Sequence, residues 1–200
     1  MFRKLFKKKE VKSIRLNQSD IFQIVNLVLS TTKESYFILK KLLNEILNIE
    51  SIYCFVNYVA YNAILSKSLL LHEDDRGLII SEYSKKAQYE FDEELKDAIL
   101  KPDFRAKYEN ELSWLENEFD KIWNNQKEKN FIYAKHELIL NYLSYHGTDE
   151  YREDFQVGIS KEWKNIGETI SGGIYHILLD FYEKNGLNTQ LVSGRLLGWD

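Results

Sequence analysis

From Ile21 to Phe181 the apolar residues recur three or four positions apart, and no stretch sustains the two-residue alternation of a half-buried strand. One proline, Pro102, and nine glycines punctuate 200 residues, too few for the many turns of an all-β chain. The spacing predicts an all-α fold, a single-domain bundle of seven or eight helices. A chain of this length with 44% hydrophobic residues buries roughly 70% of its unfolded surface.

The helix signals divide the chain as follows. Ser19 or Asp20 is positioned to cap a short helix, Ile21 to Ser30, and Thr31-Thr32-Lys33-Glu34 has the form of a capping box opening a second. A third runs from Ser51 to about Leu71, apolar on most sides and therefore central. His72 to Gly77 is polar enough for a turn, and a fourth helix spans Ile79 to Leu100. Pro102 separates it from a fifth, whose stripe is Phe104, Tyr108, Leu112, Leu115, Phe119 and Ile122. A sixth covers Phe131 to His146 and stops at Gly147. Thr148 or Asp149 is a candidate cap for the acidic turn that follows. Ser160 is a candidate cap for a seventh helix ending at Asn185-Gly186, and Thr189 to Leu197 forms a last amphipathic piece.

Charge is unevenly distributed. Residues 1–15 carry seven of the 27 basic residues and one of the 31 acidic ones, so this arm is +6 and the domain that follows, 16–200, is −10. In the arm, Phe2, Leu5 and Phe6 fall at helical spacing among Arg3, Lys4, Lys7, Lys8 and Lys9. Such an element suits an anionic membrane surface or phosphates, weakly, and it also serves as a solubilising tail. The acidic domain disfavours nucleic acid, whose phosphates need clustered cations. Cys54 is the only cysteine. It rules out an intrachain disulfide, argues for a reducing, cytoplasmic setting, and in its apolar segment reads as an inert thiol.

The stretch "ETISGGIYHILLD" places two adjacent glycines inside a helix. On a helical wheel Gly167 lies within the stripe of Trp163, Ile166, Ile170, Ile174 and Leu178, with Gly173 on its flank. Both are expected to be notches where another helix approaches. Gly172 faces the other way, with Asn165, Thr169 and His176, and that polar strip is a candidate partner surface. His176 and Asp180 are one turn apart, the spacing of an exposed ion pair.

Other chemistry is thinly marked. No histidine has a glutamate three residues before it, so the di-iron bundle pattern is missing, and Glu90, Glu93, Glu94 and Asp97 crowd one helix instead of converging from two. Phosphate-loop, zinc and Ser/His/Asp patterns are also missing, so neither cofactor nor metal is expected. His136 and His146 share a face of the sixth helix about 15 Å apart. The stretch "LNYLSYHG" resembles the motif of the HEPN ribonucleases of toxin–antitoxin and phage-defence systems, in which Asn, four residues and His follow an arginine. Asn141 and His146 match the latter part, and Leu140 stands in the arginine's place. The resemblance implies a degenerate ribonuclease with Asn141 and His146 at its site, formed between two copies of the chain.

The leading expectation is different: a non-enzymatic interaction protein of inhibitor, immunity or regulatory type, engaging a basic protein partner. Its candidate contacts are Glu73, Asp74 and Asp75, together with Asp149, Glu150, Glu153 and Asp154.

Overall fold

Leu27 and Leu42 of one long helix reach into Gly173 and Gly158 of another, and the rest of the chain is arranged around that pair. The computed structural model describes residues 15–67, 71–146 and 153–186. They form seven helices: α1 (Gln18–Leu43), α2 (Ile49–Lys67), α3 (Glu73–Glu90), α4 (Glu93–Ile99), α5 (Phe104–Asn125), α6 (Phe131–Tyr145) and α7 (Glu153–Lys184). The architecture is all-helical, a single bundle. Helices α1 and α7 lie antiparallel, α2 packs against both, α3 covers α1, and the α5–α6 hairpin closes the far side of α2. Every residue from 51 to 60 is buried, so α2 is the central rod its all-round apolarity predicts. Among the described residues no helix is long and apolar enough to cross a membrane.

Several boundaries differ from those the sequence suggests, each for a local reason. The first two expected helices are one. Thr31 and Thr32 are buried, and their hydroxyls bond back to the carbonyls of Leu27 and Val28 at 2.8 Å, which satisfies them inside a helix instead of starting a new one. The N-cap of α1 is Asn17, which accepts from the Asp20 amide at 2.9 Å. Asn48 similarly caps α2 by accepting from Ser51 N. The acidic run after His72 is not a turn. His72 caps α3, and Glu73, Asp74 and Asp75 form its first helical turn, where the helix dipole favours negative charge. The expected fourth helix breaks at Phe91, which is buried, and Asp92, which caps α4 through Leu95 N at 2.7 Å. Ser160 caps nothing, because α7 already begins at Glu153. The end of α7 is as expected: Gly186 adopts φ +62°, the left-handed conformation that terminates helices. The caps suggested at Thr148 or Asp149, the helix at Thr189 to Leu197 and the arm at Phe2 to Lys9 fall outside the described residues.

Several polar side chains pair across helices inside the bundle. Tyr83 of α3 donates to Asn57 of α2 at 2.6 Å and lies 3.2 Å from Thr32 of α1. This fully interior contact joins three helices, and leaving one of its members unmatched costs about 1–3 kcal/mol.

The glycines of α7 sort by surroundings. A Cβ at Gly173 or Gly158 would sit 2.1 Å from the Cδ2 of Leu27 or Leu42, whereas at Gly167 and Gly172 it would meet nothing within 4 Å. Gly173 is a notch and Gly172 faces open space, as the wheel indicates. Gly167 is not a notch, since no neighbouring helix covers that point of the stripe, and Gly158 is a second notch that the wheel did not single out. Alanine at Gly167 or Gly172 is therefore expected to stabilise the fold by up to about 1 kcal/mol through helix propensity. Alanine at Gly158 or Gly173 is expected to destabilise it by about 1 kcal/mol, as a leucine leaves its rotamer. Thermal melts of the four single variants check this ordering.

Candidate functional site

The inner face of α5 carries two carboxylates, Glu111 and Glu118, seven residues apart and hence about 10 Å along the helix. Each is met by donors from α6 and from a neighbouring helix or its own. Glu111 accepts from the Ser51 hydroxyl at 3.0 Å, from the Tyr142 hydroxyl, and from His146, whose Nε2 lies 3.0 Å from Oε1. Tyr142 also reaches the Ser51 carbonyl at 2.8 Å. Burial, with Glu111 beside it, pushes the Tyr142 phenol well above its ordinary value, so it serves as a neutral donor. Glu118 accepts from Asn141 at 2.8 Å and from Lys121 at 3.2 Å.

Asn141 and His146 therefore engage carboxylates on different turns of α5 and are not brought together within one chain. Glu111, Tyr142 and Ser51 are the members of this cluster that the sequence did not mark. The one available signal was Tyr142 standing a single turn before His146 on the buried face. Cys54, fully buried with its thiol 3.8 Å from the Tyr108 carbonyl, is pushed far up by burial and is an inert packing group.

The acidic residues proposed as contacts have divergent surroundings. Asp75 is only 6% exposed and accepts from Leu16 N at 2.9 Å and from Arg15 at 3.3 Å. It clamps the entry of α1 onto α3 and presents no carboxylate to a partner. Asp74 pairs with Arg15 at 2.6 Å at the surface, and Glu73 is exposed beside it. Glu153 and Asp154 are exposed at the start of α7. The antiparallel packing puts that start at the far end of α1 from Asp74, about 39 Å away for a 26-residue helix. The two acidic turns are separate surfaces. Asp149 and Glu150 lie outside the described residues.

In the polar strip of α7, Asn165 is half-buried. It faces α1, with its amide 3.4 Å from Ser35 and from Glu162, and Thr169 bonds back to it. His176 is exposed and Gly172 faces open space. Among the described residues no group of three or more His, Cys, Asp or Glu is placed to hold a metal ion.

Two surface features remain. One is a cleft of about 540 Å³ where α1, α2 and α4 meet, lined by Lys40, Asn44, Glu50, Glu94, Asp97 and Lys101. Lys40 is already spent there on Asp92 at 2.8 Å and Glu94 at 2.7 Å. The other is an apolar ridge. Ten large apolar side chains are exposed among the described residues, and three of them, Phe131, Ile132 and Tyr133, are consecutive in the first turn of α6. No family model matches the chain, and neither a curated protein nor a solved structure matches it.

Asp92 gives the cleft a pH signature. Burial works to raise its carboxyl, but the Lys40 ammonium and the Leu95 amide more than reverse this and hold it below the ordinary carboxylate value. A carboxyl depressed in the folded state stabilises the fold above its unfolded value and loses that contribution on acidification. Asp92→Ala, which removes both the α4 cap and the ion pair, is expected to cost about 1–2 kcal/mol at neutral pH. In urea melts of the variant and wild type, that difference should narrow as the pH falls below about 4.

Proposed function

We propose that this chain is a helical protein-binding module, acting as an inhibitor, immunity or regulatory protein by occupying a partner's surface. The observation that carries this reading is the apolar first turn of α6, Phe131, Ile132 and Tyr133, with Ile132 74% exposed. Side chains of this size left in water at one place are the ordinary mark of a protein contact. The groups with chemical potential point the other way: Glu111, His146, Tyr142 and Ser51 satisfy one another. The exposed acidic turns at Glu73 and Asp74, and at Glu153 and Asp154, supply long-range charge that steers encounter more than it adds affinity.

The test is a pull-down from the native host at several salt concentrations, using the wild type, Ile132→Asp, and a Glu153→Lys/Asp154→Lys pair. The reading expects a stoichiometric partner that Ile132→Asp loses and that the lysine pair recovers more weakly at low salt. Recovery of no stoichiometric partner at low salt, or undiminished capture by Ile132→Asp, contradicts it.

A further inference from the structure

Helix α6 ends in a group of aromatic rings that the bundle covers only in part. The Tyr145 ring stacks on Trp114 of α5, with centroids 4.5 Å apart and planes 24° from parallel. Tyr142 lies on the inner side, 5.9 Å from Trp114. The His146 ring stands nearly perpendicular to Tyr142 and to Tyr145, at 4.8 and 5.1 Å. Trp114 is half-buried, but Tyr145 is 54% exposed even with its neighbours in place. An aromatic stack that ends in water offers a π surface, and π surfaces attract cations.

The surroundings carry the same sign. Glu111 lies behind His146, its Oε1 3.0 Å from Nε2, and its other donors are the hydroxyls of Ser51 and Tyr142. Its one ion-pair partner among the described residues is His146, which is charged only when protonated. The cations of α5 are engaged elsewhere: Arg105 on Glu109, Lys107 on Asp103 and Lys121 on Glu118. Between Lys135 and Arg152 the sequence has no lysine or arginine, and Asp149 and Glu150 follow His146 by three and four residues. Helix α6 also ends here, at Tyr145, and the carbonyl end of a helix favours positive charge.

We infer that the Trp114–Tyr145 stack takes an arginine side chain of a basic partner protein, its guanidinium lying on the tyrosine ring within the field of Glu111. A guanidinium is flat and weakly hydrated, so it extends an aromatic stack better than an ammonium does. This rests on the protein-binding reading and names one contact of the partner. Tyr145 lies thirteen residues beyond Ile132, about 20 Å along α6, so one interface of ordinary size reaches both. A nucleobase also stacks on aromatic rings, but its phosphates would meet Glu111 and a domain of net charge −10.

The test is an NMR titration of the full chain that follows the Trp114 indole N–H and the His146 ring. The probes are a short arginine-rich peptide, its citrulline counterpart, which keeps the shape and lacks the charge, and oligouridine RNA. The arginine peptide is expected to shift both resonances, and the citrulline peptide far less. Tyr145→Ala should weaken arginine binding about threefold or more, whereas Tyr145→Phe, which keeps the stacked ring, should retain it. Equal response to the citrulline peptide, undiminished binding by Tyr145→Ala, or a response to RNA and not to the arginine peptide overturns the inference. In the pull-down from the native host, Tyr145→Ala should recover less partner than the wild type. If it recovers as much while Ile132→Asp recovers none, this inference fails and the protein-binding reading stands. If the wild type itself recovers no partner, the protein-binding reading falls and this inference falls with it.

Discussion

Glu162 sits 3% exposed at the middle of the longest helix pair, and the hydroxyl of Ser35 donates to it at 2.8 Å. Asn165 is the other polar neighbour of this pair, at 3.4 Å from each. A buried carboxylate is tolerated only where donors meet it. A slide of α7 along α1 by one turn would move Glu162 away from Ser35 and against the apolar residues around it. The apolar part of the seam agrees with that register. Leu27 and Leu42 are fifteen residues apart, as are Gly158 and Gly173, so the two notches receive the two leucines in step over about 22 Å. A polar pin with a notch on either side fixes how α7 lies on α1.

The surface follows from that seam. With α7 anchored to α1 on one side and to α2 on another, where Trp163 meets Phe55 and Tyr58, its remaining flank is open to α6. Helix α6 is itself tied to α5 by Glu111 and Glu118 near its C-terminal half, and at its start the Phe131 ring meets Phe119 of α5 and Trp163 of α7. Ile132 and Tyr133, next to it in sequence, are exposed. The proposed binding ridge is thus a consequence of where the hairpin is pinned.

The fold class was legible in the sequence because periodicity reports which face of each segment is apolar, and here it does so over almost the whole length. Boundaries were less legible where a residue type has two uses. Threonine at positions 31 and 32 reads as a cap but is satisfied by carbonyls of its own helix, and the acidic run at 73–75 reads as a turn but suits a first helical turn. The wheel found Gly173 because its neighbours define a stripe, and it misplaced Gly167 because a stripe does not say which part of it another helix covers. Candidate contacts chosen by charge fared unevenly. Asp75 and Glu73 are two positions apart, yet one clamps Leu16 and Arg15 while the other is exposed. The exposure of Ile132 and Tyr133 was illegible, since it depends on which faces neighbouring helices cover.

The most direct test of this account is a double-mutant cycle on the seam, combining Leu27→Ala with Gly173→Ala and measuring unfolding in urea. If Gly173 is the notch that receives Leu27, shortening the leucine removes the collision that the new methyl creates. The double variant should then be more stable than the two single changes predict by about 1 kcal/mol or more. Single-variant effects that add within about 0.5 kcal/mol would mean that the two residues do not meet, and would contradict the register on which the rest of the structure depends.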